Sequence, residues 1–143
     1  MKFETEYQHV NSTVRESLWH LMFCTKYRYN MFAKLKYKNL CEASIRKATS
    51  KHNIEIIELE VMPDHVHMLI RLPPMLAIEK VIMLIKGGSA YIFFRNHEKA
   101  RLRYPQGHLW SRGKFYTTVG YSDVPTTLDY IRNQEQHHAL AGN

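Results

Sequence analysis

The sequence predicts an α+β fold in which an antiparallel sheet carries helices on one face and a further helix follows the last strand. Three observations lead there. Aromatic and β-branched runs alternate with segments of helical period, a proline-aspartate corner separates two adjacent strand runs, and a capping signal precedes the final periodic segment. With 143 residues the chain is long enough for one domain with a real core and short for two, so residues 1–143 are expected to form a single unit.

Residues 1–16 are polar and aperiodic and read as a loose arm. "LWHLMFCTKY" (18–27) is aromatic and long-aliphatic, hence strand one. In "KLKYKNLCEASIRKATSKHN" (34–53) Leu35, Leu40, Ala43, Ile45 and Ala48 fall near helical spacing with cations on the other face, so an amphipathic helix follows. "IEIIELEV" (54–61) alternates except for a slip at Ile56-Ile57 that marks a bulge. "MPD" turns the chain into strand three, 65–72, giving a hairpin. From Leu76 to about Asn96 the apolar spacing is again helical. There Gly87 and Gly88 together cost roughly 2 kcal/mol relative to alanine, so either a close backbone approach or a break in the helix is expected at that point. "GHLWSRG" (107–113) reads as a loop and "KFYTTVGY" (114–121) as strand four. "SDVPTTLDYIRNQEQHHAL" (122–140) has Ser122 or Asp123 to cap a terminal helix and Pro125 in its first turn. The resulting order, βαββαβ plus a helix, is the split βαβ or ferredoxin-like order, the palm that RRM domains share, with one sheet face left free.

Composition narrows the function. No apolar run reaches some 18 residues and "MKFETEYQHVNSTV" has no apolar stretch behind its lysine, so neither a membrane span nor a signal peptide is expected, and the protein is expected in the cytoplasm. Cys24 and Cys41 have no metal-type spacing and read as reduced thiols. The net charge of +7 and pI near 9.5 favour a polyanionic partner. Cations interleave with aromatics in "TKYRYNMFAKLKYK" (25–38) and "RNHEKARLRYPQGHLWSRGKFY" (95–116), a pattern suited to backbone contacts plus base stacking, although a solvated basic surface with ordinary tyrosines would look the same.

The stretch "MPDHVHMLI" (62–70) carries the chemistry. Alternation puts Val66, Met68, Ile70 and Leu72 on one face and His65, His67, Leu69 and Arg71 on the other. The wholly apolar set belongs under the two helices, so the histidines belong on the open face. Two imidazoles at i and i+2 have Cβ atoms about 7 Å apart, close enough to converge on one divalent ion. Singly, each histidine is more often a surface or core-edge residue than a ligand, and a third ligand is needed. On the terminal helix Val124, Leu128 and Ile131 form the apolar stripe, whereas Tyr130 and Gln134, one turn apart, lie off it. A tyrosine hydroxyl is a poor nucleophile at its usual pKa of about 10, but it can attack a phosphodiester whose non-bridging oxygens a divalent cation polarises. Packing of Tyr130 on the sheet as an ordinary surface tyrosine is the competing reading.

These residues, in this order, resemble the single-tyrosine transposases of the HUH nuclease superfamily, the small TnpA enzymes of bacterial and archaeal insertion sequences. The likeness runs through "FCTKYRY", "EVMPDHVHMLI", "LIKGGSA", "LWSRGKFYTTVG" and "YIRNQ". It implies His65, His67 and Gln134 as ligands of Mg²⁺ or Mn²⁺ and Tyr130 as the nucleophile. Single-stranded DNA would be cut to a 5′-phosphotyrosine and a free 3′-OH, and rejoined by the reverse attack. It also implies a homodimer that recognises DNA hairpins near the element ends. Lys26, Arg28, Lys86, Arg112 and Lys114, which lie in "FCTKYRY", "LIKGGSA" and "LWSRGKFYTTVG", are the candidate DNA contacts. Two rival readings remain. Histidine-triad nucleotide hydrolases need a third histidine where this chain has Leu69, and an RRM-like binding module needs stacking aromatics on its central strands, where strand three offers His65, His67, Leu69 and Arg71. A domesticated relative acting on repeated palindromes would share every motif above.

Overall fold

The computed structural model describes residues 17–133. The expected arm at 1–16, the part of the expected helix 122–140 that follows residue 133, and the candidate ligand Gln134 lie outside the described residues. Within them the order is β1 (Leu18–Cys24), α1 (Leu35–Ser50), β2 (Glu55–Val61), β3 (His65–Arg71), α2 (Ile78–Asn96), β4 (Phe115–Thr118) and α3 (Val124–Arg132). The four strands form one antiparallel sheet in the order β2-β3-β1-β4, so the ferredoxin-like expectation holds.

The two central strands pair along their full length, from Leu18 opposite Arg71 to Cys24 opposite His65. Because facing residues share a side of the sheet, Leu21, Phe23, Val66, Met68 and Ile70 fall on one face. They form the main core with Cys41 and Ile45 of α1 and with Val81, Ile82, Ile85 and Phe93 of α2. The glycine pair in α2 leaves the helix unbroken over Ile78–Asn96. A Cβ on Gly88 would lie 2.8 Å from that of Ala48, so the close approach of α1 and α2 explains this glycine. The Ile56-Ile57 slip is a register shift between Ile56 and Glu58. Beyond it, Leu59 and Val61 turn into the core.

Three expectations need correction. The opposite face of the sheet is not free: α3 folds back over it, and Leu18, Leu69, Val119, Val124 and Ile131 form a second, smaller apolar cluster there. The histidines are therefore buried, with His65 4% and His67 2% exposed. The physical reason is the apolar stripe of α3, which needs a partner and finds it in the apolar residues of this face. Asp123 does stand at the N-cap of α3, yet its side chain makes no capping bond, because its own backbone is already helical after the short turn Tyr121–Asp123. Strand four is also shorter than 114–121. It ends at Thr118, with one further bond from the Val119 N–H to the Leu18 carbonyl. No helix among the described residues is long and apolar enough to cross a membrane.

Candidate active site

The Pro63-Asp64 corner of the β2–β3 hairpin delivers His65 as the first residue of β3, and His67 follows on the same face. Their ring centroids are 5.0 Å apart with planes at 77°. From β1, alternation brings Leu18, His20, Met22 and Cys24 to this face. The His20 ring stacks on that of His67 at 5.5 Å and 24°, with Nε2 of His20 3.3 Å from Nδ1 of His67. Burial pushes the His20 pKa down, which favours the neutral form of this ring.

Helix α3 adds the tyrosine. Val124 and Ile131 are buried, Leu128 packs beside them, and Arg132 Nε donates to Glu58 Oε2 at 2.8 Å, which ties the helix to β2. At the C-terminal end Asn133 closes on Asp129, its side-chain amide donating to the Asp129 carbonyl at 2.9 Å and carboxylate at 2.7 Å. Tyr130, off the buried stripe, lays its ring edge-on against His67 at 5.5 Å and against His20 at 5.9 Å. It is 44% exposed. The hydroxyl-bearing ring thus sits at the boundary between buried imidazoles and solvent.

Asp64 supports His65 from behind. Its Oδ1 lies 2.7 Å from His65 Nδ1, and its Oδ2 accepts from Arg28 Nε at 3.0 Å and pairs with Nη2 at 2.9 Å. Burial pushes the Asp64 carboxyl up, but the hydrogen bonds from His65 and Arg28 and the arginine's charge outweigh it, and its pKa falls below the ordinary value.

The donor set fits a divalent ion in part. A histidine that ligates a metal commonly gives its other ring N–H to a carboxylate, and His65 has that arrangement with Asp64. Among the described residues no group of three or more His, Cys, Asp or Glu is placed to hold an ion. A full site would therefore need a further ligand of another kind or from outside these residues.

The five candidate DNA contacts divide. Lys26, Lys86 and Arg112 line one groove of about 970 Å³, together with Arg95, Arg101 and Trp110. It lies on the helical side of the sheet: Lys86 belongs to α2, its Nζ 5.4 Å from the Phe23 ring centroid, and Phe23 faces the main core. Lys86 also holds the following loop, donating to the Ser111 carbonyl at 2.8 Å and to that of Gly113 at 3.3 Å. Arg28 instead pairs with Asp64, and Lys114 with Glu79 at 2.8 Å. Tyr116, a conceivable alternative nucleophile, points to the helical side, where it packs on Trp19 and donates to Glu79.

Sequence reasoning missed His20 and Asp64. The signal for His20 was present, since a single strongly polar residue within "LWHLMFC" has to face something specific. Asp64 was legible only as a turn residue, because nothing in its spacing announces a bond to its own neighbour.

The chain is similar along most of its length to several known proteins. The family model described as transposase IS200 like matches residues 13–134. The chain is 29% identical over 116 residues to the transposase for insertion sequence element IS200 of Salmonella typhimurium, covering 81% of this chain and 75% of that one. It is 30% identical over 116 residues to the ISDra2 transposase TnpA of Deinococcus radiodurans, covering 81% and 82%. Among solved structures, a Deinococcus radiodurans R1 protein described as a transposase superposes with a TM-score of 0.65 at 29% identity, over 82% of this chain and 89% of that one. A REP-associated tyrosine transposase bound to a REP hairpin gives 0.64 at 18% identity, over 86% and 68%, a likeness of fold.

Proposed function

This chain belongs to the IS200-like transposase family, and on that premise we propose that it cleaves and rejoins single-stranded DNA at insertion-sequence ends with Tyr130 as its nucleophile. The observation that carries the proposal is the meeting of Tyr130 with the paired histidines, its ring 5.5 Å from that of His67, which is itself 5.0 Å from His65. In the cleavage step the Tyr130 hydroxyl oxygen attacks the phosphorus. The P–O bond to the 3′-oxygen breaks, the phenolic proton leaves through solvent, and the 3′-oxygen takes up a proton to depart as a 3′-OH. The product is a 5′-phosphotyrosine. Attack on it by another 3′-OH restores a phosphodiester and returns the tyrosine, so no external energy source is needed.

His65 and His67, with Gln134 from outside the described residues, are the proposed ligands of a Mg²⁺ or Mn²⁺ ion. Such an ion, when bound, supplies charge stabilisation at the non-bridging phosphate oxygens. The chain's own part is to hold both imidazoles on one rigid strand, exclude bulk water beneath α3, and leave Tyr130 exposed to the DNA. Lys26, Lys86 and Arg112 are proposed to grip the DNA through the groove on the other side of the sheet, with hairpins as the recognised form. The working unit is proposed to be a homodimer in the cytoplasm. The same steps would serve a relative acting on repeated palindromes. A purely RRM-like binding role has less support, because α3 covers the face on which such a module stacks bases.

The test is incubation of the protein with labelled single-stranded DNA that carries a hairpin from its own genomic flank, with Mg²⁺ or Mn²⁺. A denaturant-resistant adduct is expected, absent with EDTA and in Tyr130→Phe but retained in Tyr116→Phe. An adduct that persists in Tyr130→Phe would remove the nucleophile assignment.

A further inference from the structure

Asp64 is held from three directions, more firmly than a hairpin corner requires. Its carbonyl accepts from the Thr25 N–H at 2.9 Å, one carboxylate oxygen meets His65 Nδ1 at 2.7 Å, and the other takes Arg28 Nε and Nη2 at 3.0 and 2.9 Å. Arg28 reaches it from an unusual backbone. Tyr27 and Arg28 both adopt left-handed conformations, φ 63° and 54°, in an exposed bend that Arg28 N–H closes onto the Thr25 carbonyl at 3.0 Å. Two successive non-glycine residues in this region are uncommon and persist only where the surroundings over-determine them.

A carboxylate only accepts hydrogen bonds, so an ionised Asp64 obliges His65 to carry its proton on Nδ1. The lone pair is then on Nε2, the atom through which His65 would ligate. We propose that Asp64 is a positioning residue of the site: it fixes the tautomer and ring direction of His65, and Arg28, held in the Tyr27-Arg28 bend, fixes Asp64 in turn. This rests on the reading of His65 as a metal ligand and extends it to two residues of the β1–α1 connection and the hairpin corner. It also gives Arg28 a task other than gripping DNA.

The substitution Asp64→Asn separates this role from simple support of the turn. The arginine fork accepts no hydrogen bond, so it would claim the amide oxygen. The amide NH₂ would then face His65 Nδ1 and require a lone pair there. The experiment uses the full chain, first without metal at about pH 8, where an ordinary imidazole is neutral, reading ring nitrogens by ¹⁵N NMR. Wild type is expected to show His65 protonated on Nδ1, and Asp64→Asn to show it moved to Nε2, with an unchanged melting temperature. Mn²⁺ titration by calorimetry is then expected to show affinity falling about 10- to 100-fold in Asp64→Asn, the usual range for loss of a carboxylate behind a ligating histidine. Arg28→Lys, which keeps the charge and loses the fork, is expected to show a smaller fall. An unchanged His65 tautomer and unchanged Mn²⁺ affinity in Asp64→Asn would overturn the proposal. If His65→Ala itself binds Mn²⁺ like wild type, the ligand reading of His65 fails instead. The metal-free tautomer result then decides by itself whether Asp64 directs the ring.

Discussion

The two faces of β3 are buried to the same depth and built for different ends. Val66, Met68 and Ile70 on one side and His65 and His67 on the other are all 4% exposed or less. The first set lies under two long helices in a continuous apolar core. The second lies under the single short helix α3, fastened by a small cluster around Leu69 and Ile131 and by the Arg132–Glu58 pair. Burial alone therefore does not distinguish core from site. What distinguishes them is partnership: each buried imidazole on the α3 face has a polar or aromatic neighbour with defined geometry, as buried polar groups require, and the cover over them is light enough to leave Tyr130 at the edge.

Substitutions on the two faces should separate stability from activity. The largest loss of stability is expected from Met68→Ala, which empties a fully buried site in the main core. About 2–5 kcal/mol of unfolding free energy should disappear in urea melts, with cleavage by the remaining folded protein little changed. A stability loss below about 1 kcal/mol would mean that this face is not the core it is taken to be. Next, Gly88→Val forces α1 and α2 apart at Ala48 and should cost about 1–3 kcal/mol without touching the histidine face. On the α3 side the balance reverses. Arg132→Ala removes an ion pair whose arginine is exposed and whose Glu58 is partly covered, and should cost about 1 kcal/mol, yet lower cleavage by loosening the helix that carries Tyr130. Equal effects of Met68→Ala and Arg132→Ala on cleavage per folded molecule would erase the contrast between the faces. The smallest effect is expected in the groove: replacing Lys26 or Arg112 should reduce the slope of log affinity against log salt by about 0.7 for each phosphate of single-stranded DNA that the side chain had neutralised. An unchanged slope in both would take the groove out of the DNA footprint.

How much of this was legible from the residues depended on how local the cause was. Alternation sorted β3 correctly, the Ile56-Ile57 slip marked the bulge, and the stripe of α3 left Tyr130 outside it, because each follows from period alone. The covered face was not legible. Whether α3 lies on the sheet depends on its stripe meeting Leu18, Leu69 and Val119, three residues distant from one another in sequence. The Arg28–Asp64–His65 chain was hidden for a related reason. It needs a left-handed bend at Tyr27 and Arg28, and neither residue type announces one. Of the expected DNA contacts, Lys114 and Arg28 have intramolecular carboxylate partners that charge counting along the sequence does not anticipate.

The central claim, that the histidine face and Tyr130 form one catalytic unit, is tested most directly by locating the phosphotyrosine. Trypsin cuts after Lys114 and Arg132, so Tyr116, Tyr121 and Tyr130 fall in one peptide and fragmentation must separate them. In wild type the nucleotide phosphate is expected to map to Tyr130, and no adduct is expected in His67→Ala. A phosphate mapped to Tyr116 or Tyr121, or an adduct surviving in His67→Ala, would contradict the claim.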